Sequence, residues 1–170
     1  MYTPLYVKTN YSLLSSLVSI DDLIHLCEQK HITSVAIVDN NMYGTMEFYH
    51  KCKKNGIKPI LGLELLLEEG TVLVYAKNYV GYQTLCKLAT IQSERQVQLH
   101  DLEEYNREIV AVVPNGIEDL FERVATIIED SYLGYTTYEQ EQRLSSKKER
   151  LVYLSKCLYL TPEEKEYLLY

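Results

Sequence analysis

The chain has 170 residues, of which 46% are hydrophobic, and it carries a formal net charge of −7 at pH 7. This length and composition are typical of one domain with a buried core. The sequence has no run of about 18 apolar residues and no basic segment followed by an apolar one, so we expect a cytoplasmic protein with no membrane partner. Affinity for nucleic-acid phosphates comes largely from Lys and Arg, so the acidic charge predicts only indirect contact with DNA.

Strand and helix patterns alternate through the first half of the chain. A short extended piece is predicted over residues 4–8, and Ser19 caps a helix with one apolar face. A β-branched run then predicts a strand over residues 34–38 that ends at Asp39. In the helix that follows, the predicted inner face consists of Met46, Tyr49 and Cys52.

The second half of the chain continues the alternation. Further strands are predicted over residues 57–67, 71–76, 108–113, 132–136 and 151–154. Helices are predicted over residues 81–91 and 117–128, and another begins at Thr161. The polar segments 96–107 and 138–150 are predicted surface connections. Strands separated by helices predict an α/β fold with a mainly parallel sheet, either doubly wound or closed as a barrel.

The cysteines and histidines do not form a metal-binding pattern. No two cysteines make a CxxC pair, which argues against a zinc knuckle and against a disulfide framework, and we expect buried free thiols. The cysteines are Cys27, Cys52, Cys86 and Cys157, and the histidines are His25, His31, His50 and His100. We expect the histidines to lie at the surface or at its boundary.

In α/β folds, ligands bind at the carboxyl ends of the strands, so the residues there are the candidates for a site. Lys8 follows the first strand, Asp39 and Asn40 end the second, and Lys156 follows the last. Glu64 lies inside an apolar strand, where a carboxylate without a partner costs about 3 kcal/mol or more. Two carboxylates without a histidine are too few for a catalytic metal site. The simplest role for Asp39 is a turn cap, and the simplest position for both lysines is the solvent-exposed surface.

Several short motifs follow one another in a specific order. They are Tyr11-Ser12-Leu13-Leu14, the stretch from Val35 to Tyr49, Gly56-Ile57-Lys58-Pro59-Ile60-Leu61-Gly62-x-Glu64, and Tyr159-Leu160-Thr161-Pro162-Glu163. This order resembles the PHP (polymerase and histidinol phosphatase) domain at the amino terminus of the bacterial DNA polymerase III alpha subunit. The resemblance implies a compact α/β fold, a PHP-type distorted (β/α) barrel of about seven strands. It also implies that residues 1–170 are the amino-terminal PHP domain of a longer polymerase chain.

The resemblance indicates which metal-ligand positions this chain keeps. Intact family members bind zinc or manganese, and the ligand positions retained here are Asp39 and Glu64. The substituted ligand positions are Tyr6, Lys8, Asn40, Lys156 and Leu158. Because an ammonium or an alkyl group cannot coordinate a divalent cation, the resemblance implies a degenerate site with no metal, no cofactor and no catalytic residue. We further expect Lys8, and less strongly Lys156, to point into the former site and pair with Asp39 or Glu64.

Three functional interpretations remain open. The first is a non-catalytic structural domain of the replicative polymerase, which packs against the remainder of the alpha subunit, with a proofreading exonuclease subunit as a candidate partner. The second is residual metal-dependent phosphoesterase or 3′-5′ exonuclease activity that uses Asp39 and Glu64. The third is a free-standing protein with a small phosphate substrate, and an end at Tyr170 inside a predicted helix argues against it. Ligand loss favours the first interpretation, in which DNA-directed DNA polymerase activity belongs to the parent chain.

Overall fold

The computed structural model describes residues 2–169, and Met1 and Tyr170, the two ends of the predicted domain, lie outside the described residues. The helices are α1 Ile20–Gln29, α2 Thr45–Lys54, α3 Tyr79–Glu94, α4 Leu99–Glu104, α5 Glu118–Ala125 and α6 Tyr138–Arg143. The strands are β1 Ser34–Asp39, β2 Lys58–Leu67, β3 Gly70–Ala76, β4 Ile109–Val113, β5 Ser131–Tyr135 and β6 Leu151–Tyr153. Two 3₁₀ helices span Ser145–Arg150 and Pro162–Leu169.

The strands form a mixed sheet in the order β1-β2-β3-β4-β5-β6. The β3 strand runs antiparallel to β4, whereas β4 with β5 and β5 with β6 are parallel pairs. The predicted strand over residues 4–8 is reduced to single parallel bridges from Val7 to Ile37 and to Cys157. The α/β class is therefore confirmed, with six strands in the described residues where about seven were expected.

Contacts divide the chain into two compact units. One comprises the residues up to Gly62 together with those from Ser155 onward, and the other is Leu63–Leu154. The first unit has a core of side chains from the Val7 segment, α1, β1 and α2. Its buried members are Val7, Val18, Ile20, Leu23, Ile24, Cys27, Val35, Ile37, Phe48, Cys52 and Ile57. No helix in the described residues has the length and apolar character needed to cross a membrane.

Of the two α-helices in the first unit, α1 begins where the sequence predicts, whereas α2 buries a different face from the predicted one. The α1 helix begins after Ser19, whose hydroxyl accepts a hydrogen bond from the Asp22 N–H at 3.1 Å, as the capping pattern predicts. In α2 the predicted inner face is right at Cys52, which is completely buried, but wrong at Met46, which is 48% exposed while Phe48 is completely buried. Since residues three and four positions apart share a helix face, the buried face of α2 is Thr45, Phe48 and Cys52.

The polar segments predicted as connections contain helices. In the second unit, α4 is held by Asp101, which accepts a hydrogen bond from the Gln98 N–H at 2.8 Å. The Arg95 guanidinium donates to both Asp101 carboxylate oxygens, at 2.8 and 2.6 Å. Likewise, α6 begins at a capping box between Thr137 and Gln140. The short helices within these surface connections were not predicted, because polar caps can start a helix that lacks a strong apolar stripe. The last predicted helix is 3₁₀ rather than α.

We expect Asp101→Ala to lower the free energy of unfolding by about 2 kcal/mol at pH 7, because it removes a cap and a charged hydrogen-bond acceptor. The hydrogen bonds from Arg95 hold the pKa of Asp101 below its ordinary value of 3.8. Its stabilising contribution is therefore present above that value and is lost as the pH falls through the folded-state pKa. Urea unfolding at pH 7 and near pH 3 measures this, with the exposed Glu103→Ala on the same helix as the control. An equal loss for Asp101→Ala at both pH values would contradict the prediction.

Candidate functional site

The end of β1 carries a buried carboxylate. The first loop, residues 9–18 between the Val7 segment and α1, surrounds it with hydrogen-bond donors. Asp39 is 2% exposed. Its Oδ1 accepts hydrogen bonds from the Thr9 N–H at 2.7 Å and from the Ser12 Oγ at 2.6 Å. Its Oδ2 accepts a hydrogen bond from the Thr9 Oγ1 at 2.7 Å. Both carboxylate oxygens are thus engaged by the chain itself, and they fasten residues 9–12 to the end of the strand.

The electrostatic balance at Asp39 explains why these donors are needed. Burial raises the pKa of Asp39 above its ordinary value. Hydrogen bonds from Ser12 and Thr9 and the positive charge of Lys8 act in the opposite direction and favour the ionised form. Because desolvation dominates, an ionised Asp39 depends on every donor and positive charge around it.

The substituted ligand positions Tyr6 and Lys8 are both buried, at 6% and 4% exposure. The Lys8 N–H donates to the Cys157 carbonyl at 3.0 Å, and the Lys8 carbonyl accepts a hydrogen bond from the Ser16 Oγ at 2.6 Å. Lys156 is exposed, and its ammonium lies 5.4 Å from the centroid of the Tyr6 ring. The two lysines therefore differ in exposure: Lys156 lies at the surface, as is usual for lysine, whereas Lys8 is buried.

The remaining substituted positions contribute little to a ligand set. Asn40 is exposed, and its Oδ1 accepts a hydrogen bond from the Asn41 Nδ2 at 3.2 Å. Leu158 contributes its main-chain carbonyl, which accepts hydrogen bonds from the Leu17 N–H and the Ser16 Oγ, each at 3.0 Å. These contacts hold the first loop and the segment after Ser155 together.

Glu64, the other retained ligand position, belongs to the second unit and is 4% exposed in β2. Its main-chain carbonyl accepts a hydrogen bond from the Gln92 Nε2 at 2.8 Å, and the Gln92 Oε1 accepts one from the Leu66 N–H at 2.9 Å. Gln92 thus links α3 to this part of β2 through two hydrogen bonds. The pairing of Lys8 with Glu64 stays a prediction.

The residues at the end of β1 do not fit a resident divalent metal. Zinc or manganese needs several converging nitrogen, oxygen or sulfur ligands with free lone pairs. Among the side chains that the structure describes, no group of three or more His, Cys, Asp or Glu could hold a metal ion. Asp39 already accepts three hydrogen bonds. The positive charge of Lys8, which acts on Asp39, would also repel an incoming cation.

The predictions for the thiols and histidines agree with the structure in most respects. All four cysteines are free, and Cys27 and Cys52 are buried whereas Cys86 and Cys157 are half-buried. Burial raises the pKa of Cys27 to about 11 and that of Cys52 to about 12, so neither is a reactive thiolate near neutral pH. The histidines are exposed, as predicted for His25, His31, His50 and His100.

A cleft of about 650 Å³ lies in the first unit beside Asn40. It is lined by Asn10, Tyr11, Leu13, Ser19, Ile20, Asp21, Asn40, Asn41, Tyr43 and Glu47. The Tyr11 hydroxyl donates to the Glu47 Oε2 at 2.5 Å, and the Lys51 ammonium donates to the Glu47 Oε1 at 2.6 Å. Lys51 also lies 2.7 Å from the Asp21 Oδ1. Hydrogen bonds from Lys51 and then Tyr11 lower the pKa of Glu47, so it stays an ionised acceptor rather than a general acid.

Sequence reasoning missed the side chains that complete this site. Thr9 and Ser12 were not singled out as partners of Asp39, although hydroxyl residues directly after a strand are a usable signal for such a contact. The Glu47 and Lys51 pair could have been found from its spacing of four residues on one helix. The Tyr11 contact to Glu47 spans 36 residues, and no local pattern predicts it.

The sequence of the chain is similar to one protein family along most of its length. Residues 4–156 match the profile of the family described as "PHP domain". A DNA polymerase III subunit alpha of Ureaplasma parvum is 42% identical over 103 residues, which are 59% of this chain and 11% of that protein. The same subunit of Streptococcus pyogenes is 29% identical over 172 residues, covering 98% of this chain and 16% of that protein. The chain therefore spans only a small part of the curated relatives that it matches.

Solved structures share the fold at low sequence identity. A Bifidobacterium adolescentis protein, described as a candidate metal-dependent phosphoesterase, has a TM-score of 0.66 at 13% identity and matches 91% of this chain and 87% of its own. A two-domain Bacteroides vulgatus protein, described as containing a predicted PHP-like metal-dependent phosphoesterase, has a TM-score of 0.62 at 12% identity. That match covers 96% of this chain and 53% of the other. At these identities the similarity concerns the fold alone.

Proposed function

The chain belongs to the PHP domain family, and from this premise we propose that it is a non-catalytic structural and interaction domain of a DNA polymerase III alpha subunit. In this proposal residues 1–170 form the amino-terminal PHP domain, and the parent chain carries out DNA-templated DNA synthesis in chromosome replication. Support comes from the polymerase subunits of Ureaplasma parvum and Streptococcus pyogenes to which it is similar. Such a role is cytoplasmic, and the charge of −7 favours only indirect contact with DNA.

The observation that carries the non-catalytic proposal is the state of Asp39. Thr9 and Ser12 occupy three of the roughly four lone-pair positions of the Asp39 carboxylate, and no histidine at the other ligand positions joins it, so the ligand set of a catalytic metal is incomplete. The retained carboxylate therefore serves the fold at the position where the family places a ligand. The proposal needs no cofactor for this domain.

An exposed apolar loop supports the interaction part of the proposal. Leu13 is 83% exposed, Leu14 is fully exposed, and Leu17 is 40% exposed. Leu14 has a φ of 60°, an uncommon conformation for a residue other than glycine. A firmly held loop that presents leucines to solvent suits burial against another protein surface. In the proposal that surface is the remainder of the alpha subunit, with a proofreading exonuclease subunit as a second candidate partner.

The second candidate function is residual metal-dependent phosphoesterase or 3′-5′ exonuclease activity in the PHP cleft. The descriptions of the two structural neighbours favour it, because both name a metal-dependent phosphoesterase. It would require Asp39 to bind an ion through its remaining lone pair and Glu64 to act with further ligands. The two candidates therefore predict opposite results for metal content and hydrolysis.

We expect the purified chain to hydrolyse neither aryl phosphates nor the 3′ ends of DNA when manganese or zinc is added, because the ligand set is incomplete. Elemental analysis after dialysis should find well below one metal equivalent per chain. The matched control is the same assay with Asp39→Asn and Glu64→Gln, which identifies a contaminating phosphatase by activity that persists in both variants. Hydrolysis that both substitutions abolish would contradict the proposal and support the second candidate.

A further inference from the structure

The backbone of the first loop is fixed by hydrogen bonds along its length. The Asn10 N–H donates to the Val18 carbonyl at 2.8 Å and closes the loop at its base. The Ser15 N–H donates to the Ser12 carbonyl at 3.0 Å and forms a turn at the crest. Because the chain itself makes these bonds, little conformational entropy remains to be lost when the loop binds another surface.

Tyr11 fastens this loop to the start of α2 through its ring, its hydroxyl and its main chain. The ring lies so close to Gly44 that a Cβ at that position would stand 2.5 Å from the Tyr11 Cδ2. The hydroxyl donates to the Glu47 Oε2 at 2.5 Å, and the Asn41 Nδ2 donates to the Tyr11 carbonyl at 2.9 Å. Since only glycine leaves room for the ring, Tyr11 and Gly44 together fix the position of the loop on α2.

The crest of the loop consists of two leucines that face solvent. Leu13 is 83% exposed and Leu14 is fully exposed, so their side chains forgo the free energy that burial would supply. Leu14 also has a φ of 60°, a conformation that is strained for a residue with a Cβ. Because exposure and strain persist in a loop that is otherwise well hydrogen-bonded, the two leucines are held in place for burial against another surface.

Two observations identify the surface that covers the leucines. Residues 9–18 contain no charged side chain, so their binding is apolar rather than directed by ion pairs. The polymerase subunits that the chain matches are far longer, since the matches cover 11% of one and 16% of another. In the proposed parent chain the remaining polypeptide is tethered to this domain, and a short tether gives an effective concentration in the millimolar range. A tethered apolar pocket is therefore occupied even when its intrinsic affinity is modest.

We propose that the first loop is a preformed docking element, in which Tyr11, packed against Gly44 and hydrogen-bonded to Glu47, positions the two leucines. Leu13 and Leu14 then insert into an apolar pocket on the remainder of the alpha subunit. The inference rests on the proposed function and deepens it, because it names the contact surface and the residue that orients it. Tyr11 is a positioning residue in this arrangement, since it acts through the leucines.

Hydroxyl-radical footprinting tests the docking, because it measures the solvent exposure of individual side chains. The 170-residue chain and the full-length polymerase that contains it are oxidised side by side, and an added reference peptide corrects for the radical dose. Leu13 and Leu14 should be oxidised at least about fivefold more slowly in the full-length polymerase, because a docked surface excludes water. Equal oxidation in the two proteins would overturn the inference.

Two variants of the full-length polymerase test the role of Tyr11. Tyr11→Phe keeps the ring and removes the hydroxyl that donates to Glu47, whereas Gly44→Ala places a Cβ where the ring lies. Each should reduce the protection of the two leucines at least about twofold, because the loop is then no longer held in its binding conformation. Tyr43→Phe is the matched control, since Tyr43 lines the same cleft and is 78% exposed. It should leave the protection unchanged.

The outcomes distinguish a positioning role from a loss of structure. Cooperative thermal unfolding of each variant of the 170-residue chain shows that it is folded, and if Gly44→Ala is not, Tyr11→Phe decides alone. Full protection of the leucines in Tyr11→Phe, or an equal loss of protection in Tyr43→Phe, would overturn the inference. Footprinting does not depend on hydrolysis. Metal-dependent hydrolysis by the chain would therefore refute the proposed non-catalytic role alone, and leucines equally exposed in both proteins would refute the docking alone.

Discussion

Asp39→Ala is expected to lower the free energy of unfolding by about 3 to 5 kcal/mol, one of the two largest losses we predict for a single substitution in this chain. The alanine would strand the Thr9 N–H and the hydroxyls of Thr9 and Ser12, all of which are buried with Asp39. Urea unfolding of the metal-free chain at pH 7 measures the loss.

Whether Asp39→Ala lowers or raises the free energy of unfolding distinguishes a carboxylate that stabilises the fold from a former metal ligand that has lost its metal. A spare ligand is a buried charge without a partner, so its removal from the metal-free protein should stabilise the fold. Asp130→Ala is the control, because Asp130 is half exposed and forms an ion pair with Lys77. Its loss should be at most about 1 kcal/mol. A gain in stability for Asp39→Ala, or a loss no larger than that of the control, would show that the contacts around Asp39 do not stabilise the fold.

Asp39 also shows how far the sequence determines the site. Its place at the end of a strand follows from the apolar run of β1, and its role as a cap follows from the chemistry of Asp in turns. The partners were not predictable, because Ser12 and Thr9 lie 27 and 30 residues away in the sequence. No periodic pattern connects them, and only the parallel placement of the Val7 segment beside β1 brings them together. The burial of Lys8 follows from the same placement.

The fold could be predicted where burial follows a simple period. The apolar runs of β1 and β3 give their bounds to within about one residue, because a buried strand is apolar along its length. The α4 and α6 helices were missed because they have six residues each and begin at polar caps. Their formation depends on contacts that are distant in sequence or local to the cap, such as the Arg95 guanidinium on Asp101. An apolar period cannot report such contacts.

Phe48, on the buried face of α2 that the sequence did not predict, is the site of the second large loss of stability that we expect. Phe48→Ala should lower the free energy of unfolding by about 3 to 5 kcal/mol, because it leaves a cavity in the core of the first unit. The ring is completely buried and belongs to the same cluster as Val35, Ile37 and Cys52. Urea unfolding at pH 7 measures the loss.

Met46→Ala on the same helix is the matched control, since it also truncates a large apolar side chain. Met46 is 48% exposed, so its removal should change the free energy of unfolding by less than about 0.5 kcal/mol. The predicted face with Met46 inward requires the opposite ranking, because Met46 and Phe48 lie about 200° apart around the helix axis. A larger loss for Met46→Ala than for Phe48→Ala would therefore restore the sequence-based face. The observed face instead leaves Met46 half exposed, so its apolar surface is available to a partner.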